Sequence, residues 1–371
     1  MSSHGEITHY MPGANTPQGF YSLYDHIARV DANKIFVLKG GPGVGKSTFM
    51  KAIARELLDR GYDVEYHHCS ADNNSIDAIY IPAGDIALVD GTSPHVVDPK
   101  NPGAVDEIIH LGDYWNEEAL REPATRTAIL RLTRACTFRF KRANDALRAA
   151  KAYLDEWSAY YAEHLDQAAV ASAGEDLIEA TVARRLAKKG SARRHFASAI
   201  TYDGAKSWLA SLFDGCARRY VIQGPPGTGK AAILGRLAET ALARGYALEV
   251  FHCPMFPERV DHLLIRDLNL GVITDFWPHE YVPKPGDRVI DTGTFVDQAG
   301  VSGYAADIAA AEEGYQAAIA REIYQLGQAK QNHDELERCY IPHMDFVGVE
   351  ARRLRTLERI LGLIAERQVQ V

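Results

Sequence analysis

Gly40, Gly41, Gly43, Val44, Gly45, Lys46, Ser47 and Thr48 form a run in which every position has a chemical use. Glycines let backbone N–H groups turn inward on an anion, and the Lys46 ammonium can reach the outer oxygens of a polyphosphate. The Ser47 hydroxyl can ligate Mg²⁺. A second run, Gly224, Gly227, Thr228, Gly229 and Lys230, repeats the cradle and the cation but ends in Ala231. Alanine has no hydroxyl to offer a metal. The two runs therefore predict two nucleotide-type phosphate sites, the first complete with a ligand for Mg²⁺ and the second able to hold phosphate but poorly equipped to hold the ion.

Asp90 supplies the matching carboxylate. Ile86-Ala87-Leu88-Val89 is an apolar run that a buried strand would use to carry Asp90 to the metal, opposite Ser47. Lys46 and Asp90 are thus the expected catalytic pair, and Ser47 and Asp90 the expected Mg²⁺ ligands. In the second half Thr274 stands where Asp90 does and Asp275 comes one residue late, which turns the carboxylate to the other face of a strand. His68-Cys69 and His95 recur as His252-Cys253 and His279. Convergence of these groups would suit a soft metal or acid–base work, whereas a buried thiol and a hydrogen-bonded strand-end histidine are the ordinary explanation. His164 and His343 each precede an Asp by two residues, which reads as a cation near a helix C-terminus.

These groups need strands ending at one edge and helices leaving it. The pattern predicts strands near 35–38, 63–69 and 86–90 and an amphipathic helix over 46–59, stopped at Gly61-Tyr62 as the later helix is at Gly245-Tyr246. Adding 184 to the numbering lays 40–95 on 224–279 without a gap, with roughly 17 of 56 positions identical. An offset of 179 then lays Tyr161, His164 and Asp166 on Tyr340, His343 and Asp345. The expected fold is α/β, with two tandem P-loop NTPase-type parallel sheets, each followed by a long helical segment. Residues 1–113 form the first core, 114–190 a helical hairpin broken near Gly174, 191–300 the degenerate second core, and 301–371 the C-terminal helices, broken near Ile341-Pro342.

Composition narrows the class. The chain has 371 residues and a net charge of −8, which disfavours a dedicated nucleic-acid binder. Five scattered cysteines without paired spacing read as reduced thiols. No stretch is long and apolar enough for a membrane span and no signal peptide opens the chain, so the expectation is cytoplasmic. Residues 114–200 are locally basic, with 15 Lys or Arg against 11 Asp or Glu. A solvated helix face accounts for them; the sharper alternative is an anionic small molecule, a protein or RNA partner, or an arginine finger.

The chain resembles P-loop NTPases, and its whole length is similar to an uncharacterised bacterial family of tandem P-loop ATP-binding proteins. The segments that carry the likeness are Gly40 to Thr48, Gly61-Tyr62-Asp63-Val64-Glu65, His67-His68-Cys69, Val89-Asp90 to Pro99, His195 to Thr201 and Gly224 to Lys230. The resemblance implies ATP binding and hydrolysis, and Ala231 departs from the Ser or Thr that members carry after the second Lys. Three functions follow as expectations. The first is an ATPase with a regulatory or structural second site, the second a small-molecule kinase working under a helical lid, and the third a nucleotide-gated binding module.

Overall fold

A computed structural model describes residues 4–92, 96–277 and 280–370. The first half runs β1 (Ile7–Tyr10), β2 (Gly13–Thr16), β3 (Gly19–Ser22), β4 (Lys34–Lys39), α1 (Lys46–Asp59), β5 (Val64–His68), β6 (Ile76–Ile81), β7 (Ile86–Asp90), β8 (Asp106–His110), α2 (Glu117–Arg121), α3 (Pro123–Glu163) and α4 (Gln167–Val182). The second repeats it as β9 (Ser191–His195), β10 (Ser198–Thr201), β11 (Gly204–Ser207), α5 (Leu209–Phe213), β12 (Arg218–Gln223), α6 (Lys230–Ala243), β13 (Ala247–His252), β14 (Val260–Ile265), β15 (Leu270–Thr274), β16 (Arg288–Asp291), α7 (Gln298–Ser302), α8 (Ala305–Tyr340) and α9 (Phe346–Gln370). No helix among the described residues is long and apolar enough to cross a membrane.

Each half builds a six-stranded sheet of the same order, β1-β5-β6-β7-β4-β8 and β9-β13-β14-β15-β12-β16. The sheets are mixed rather than parallel, because β6 and β14 run antiparallel to both neighbours. The reason is chain length: residues 69–75 and 82–85 are too few for the crossover of a dozen or more residues that a parallel pair requires, so each connection closes a hairpin. Central strands are apolar on both faces, as Phe36, Val37 and Leu38 are, each 0% exposed. In α1, Phe49, Met50, Ile53, Ala54, Leu57 and Leu58 recur at helical spacing and are buried on the sheet. Arg60 ends the helix, and Gly61 takes the left-handed φ of 84° at C′.

The break expected near Gly174 falls instead at 164–166. Gly174 is buried inside α4, and the Asp166 side chain accepts from the N–H groups of Ala168 and Ala169 as its N-cap. Asp345 does the same for Val347 and Gly348 at the start of α9, after the short turn Ile341–His343. The Asp of each His-x-Asp sequence therefore starts a helix rather than closing one, since its short carboxylate suits exposed N–H groups.

Two compact units result, and neither follows the duplication. One comprises residues 1–13, 22–141 and 325–371, the other 14–21 and 142–324. Within the first, α9 packs on α1: Val349, Leu357, Ile360 and Ile364 join the cluster of Phe49, Ile53 and Leu57. Arg353 bonds Glu56 at 2.9 Å and Arg352 bonds Glu107 at 3.1 Å. Asp345 N–H donates to Tyr114 O at 2.7 Å, so α9 starts from the end of the first core. Within the second unit, α4 packs on α6 through Val170, Leu177, Ile178 and Val182. Asp166 N–H donates to Phe295 O at 2.8 Å there. Each sheet is thus covered by the helix that follows the other sheet in sequence. The long helices α3 and α8 contribute to both units, running side by side at Cys136 and Ala329 in the first and at Tyr153 and Gly314 in the second.

Candidate functional site

β4 and β7 are adjacent parallel strands with Leu38 opposite Asp90, so the strand entering the first loop and the strand carrying the carboxylate end at the same edge. Lys46 Nζ lies 3.7 Å from Asp90 Oδ2, with the side chains 12% and 16% exposed. The ammonium also donates to Gly40 O at 2.9 Å and Gly41 O at 3.0 Å. Asp90 Oδ1 accepts from Thr92 N–H at 2.9 Å and Thr92 Oγ1 at 2.6 Å. Those bonds fix the carboxylate and leave Oδ2 toward Lys46. Ser47 Oγ, in the first turn of α1, accepts from Ile76 N–H at 3.1 Å and keeps its own proton and a second lone pair. A hydroxyl and a fixed carboxylate are hard oxygen donors of the type Mg²⁺ takes.

Val44 is buried under Gly40, and Thr48 is exposed. A Cβ on Gly43 would stand 3.0 Å from Glu337 O of α8, and one on Gly41 3.3 Å from the Tyr340 ring. Lys39 pins the segment beyond β7 through Gly91 O, Val97 O and Asp98, each at 2.8 Å.

The second loop keeps this plan with altered chemistry. Ile222 stands opposite Thr274 as Leu38 does opposite Asp90. The Thr274 hydroxyl donates to Asp261 O at 2.9 Å, while Asp275 Oδ1 accepts from Tyr281 N–H at 3.0 Å. Lys230 donates to Gly224 O and, at 2.7 Å, to Pro225 O. Burial draws its ammonium down to about 8, against the opposing pull of Asp261, Asp275 and Asp291. Thr228 turns its hydroxyl to Pro225 O and Thr292 rather than outward. Gly229, like Gly45, is the left-handed residue before its helix.

Gly227 shows how tightly the loop is held. Its φ is 82°, and a Cβ there would lie 2.1 Å from Ser158 O of α3. Gly227→Ala is expected to destabilise the second unit by on the order of 3 kcal/mol or more, combining left-handed strain with a backbone clash. Gly235→Ala, in α6 with open space around it, should instead stabilise by up to about 1 kcal/mol. Urea midpoints of the two variants check the contrast.

The His and Cys residues part company. His68 Nε2 lies 2.8 Å from His9 Nδ1, and burial, then the charges of His9, His67 and Lys51, push the His68 imidazole down to about 3. It is therefore neutral and directed at β1. His252 sits 3.0 Å from an Arg194 nitrogen in the corresponding place. Burial pushes the thiols of Cys69 and Cys253 well up, so neither is a ready nucleophile. His95 and His279 lie outside the described residues. Among the described residues the group close enough to share an ion is His333, Asp334 and Glu337 on α8, which contains none of the expected ligands. In the basic segment Arg142 and Arg148 pair with Asp145, Lys151 with Asp155 and Lys188 with Asp267.

Sequence reading missed Asp77 and Asp261, which the offset of 184 superimposes. Both lie on the antiparallel strands. Asp77 Oδ2 accepts from the buried Tyr24 hydroxyl at 2.7 Å. Asp261 bonds the Cys253 thiol, and burial raises its carboxyl from the ordinary 3.8 to about 6. Folding thus favours the protonated form, so stability falls as pH rises between those values and the loss persists above them. Asp261→Asn is expected to remove the loss. The variant should gain on wild type from pH 4 to 7, reaching on the order of 1–3 kcal/mol, read from thermal midpoints across that range.

Asp261, Cys253 and Lys230 border a cavity of about 270 Å³ with Phe256, Phe276 and Tyr315. No family model, curated protein or solved structure matches this chain.

Proposed function

We propose that the first loop binds ATP with Mg²⁺ and hydrolyses it in the manner of P-loop NTPases, and that the second loop serves a structural or regulatory role. The observation that carries this reading is the meeting of Lys46 and Asp90 at 3.7 Å, at the ends of adjacent parallel strands, with Ser47 in the following turn. Phosphoryl transfer asks little covalent chemistry of a protein and depends on positioning and charge. Backbone N–H groups of the loop hold the phosphate oxygens, and Lys46 exchanges its bonds to Gly40 O and Gly41 O for bonds to phosphate. Ser47 and Asp90 would hold Mg²⁺, which when bound neutralises charge on the outer phosphates. The second loop lacks both groups at the corresponding positions, Ala231 and Thr274.

Release of inorganic phosphate from ATP, with Mg²⁺ and with EDTA, tests the reading. Turnover is expected only with the metal. Label from the γ-phosphate appearing on a metabolite of a cell extract, with no free phosphate, would replace hydrolysis by transfer to an acceptor.

A further inference from the structure

The second loop diverges from the first in a concerted way. Where the first half has Ser47 and Asp90 the second has Ala231 and Thr274, so both groups suited to a metal are gone. Where the first half has Ala71, Asp72 and Thr92 the second has Met255, Phe256 and Phe276, so small or polar side chains have become large and apolar. All five second-half residues line one cavity of about 270 Å³, together with Leu154 and Tyr315. That volume is near the lower end for small-molecule sites, enough for a ring and a head group but not for a nucleoside triphosphate.

We propose that this cavity binds a small organic phosphate with an aromatic or branched aliphatic body, without a metal. The head group takes the N–H groups of Gly227 to Lys230 and the Lys230 ammonium, which lies 5.4 Å from the Phe276 ring centre. That ammonium spends two bonds on Gly224 O and Pro225 O and has a third proton to give. Arg259 adds a second cation, lying 3.8 Å from the Phe256 ring centre. The body fills the space between Phe256, Phe276 and Tyr315. Tyr315 is 1% exposed and packs 6.2 Å from Phe276 between ring centres, so this wall is already formed. Asp261 also borders the cavity and opposes an anion when ionised. The head is assigned to the loop, where the Lys230 ammonium offsets the Asp261 carboxylate. The inference goes beyond the proposed ATPase and does not depend on it.

Calorimetry in EDTA, with the full chain carrying Lys46→Ala to silence the first loop, tests it with phenyl phosphate, inorganic phosphate and benzylamine as probes. Phenyl phosphate is expected to bind at least tenfold more tightly than inorganic phosphate, and benzylamine not at all. Lys230→Met should abolish phenyl phosphate binding. Phe276→Thr, which restores the first half's residue, should weaken it about tenfold while leaving inorganic phosphate unchanged. Equal affinity for the two phosphates, tighter binding of benzylamine, or unaltered binding by both variants would each overturn the proposal. None of these results bears on ATP turnover at the first loop.

Discussion

Lys46→Ala is expected to lower the rate of ATP hydrolysis by on the order of 100-fold or more, the usual cost of removing one preorganised charge from a developing anion. The effect is large because the ammonium is largely shielded from water at 12% exposure and its position is set by two loop carbonyls and Asp90. Asp90→Asn should cost a similar factor and, unlike Lys46→Ala, raise the Mg²⁺ concentration needed for half-maximal rate, since it removes the charge of a proposed ligand and keeps the shape. Lys230→Ala should leave the chemical step within a few-fold of wild type. Ala231→Ser alone should create little new hydrolysis, because Thr274 and Asp275 leave no carboxylate in register. Steady-state phosphate release with the three single variants at residues 46, 90 and 230 checks the division of labour. Loss of turnover in Lys230→Ala as complete as in Lys46→Ala, with nucleotide binding at the first loop intact, would mean that the two loops form one catalytic unit.

Ending the chain after Asp345 should unfold the first core, although none of residues 1–113 is touched. Val349, Leu357, Ile360 and Ile364 of α9 are at most 7% exposed and close the cluster over α1. At about 1.5–3 kcal/mol for each large buried side chain, their loss approaches the whole margin of about 5–15 kcal/mol on which a folded domain stands. Arg353 would leave Glu56 as well. Hydrogen exchange on the truncated chain reads the result. Amides of residues 34–110 should lose protection, while those of 218–291, covered by α4, should keep it. The reverse pattern, with 218–291 exposed and 34–110 protected, would mean that α9 serves its own half and that the exchange of helices is not what holds the units. A chain divided near residue 187 is expected to behave accordingly, each half folding poorly alone and recovering when both are present.

Much of the site was legible because it is local. Gly40 to Ser47 specify a tight loop and a helix start by their own backbone preferences, and the apolar run Ile86 to Val89 fixes a buried strand with Asp90 at its end. The pairing of Lys46 with Asp90, and of Ile222 with Thr274 in the altered copy, follows once those two strands are neighbours, so the duplication and the replacement of Ser47 and Asp90 by Ala231 and Thr274 could both be read from residue types. The antiparallel strands β6 and β14 were missed, although the clusters at 70–75 and 82–85 are too short for crossovers and Asp77 falls on Asp261 at the same offset. What the sequence could not decide was where its helices would dock. Two copies of similar sequence offer α4 and α9 similar apolar grooves on α1 and α6, and periodicity says that a helix has a face to bury without saying which groove buries it. Packing made the choice: α9 joins the cluster over α1 and α4 the cluster over α6. The cavity at the second loop arose the same way, because Leu154 and Tyr315 reach it from α3 and α8, more than 40 residues from the loop in the chain, and only packing places them there.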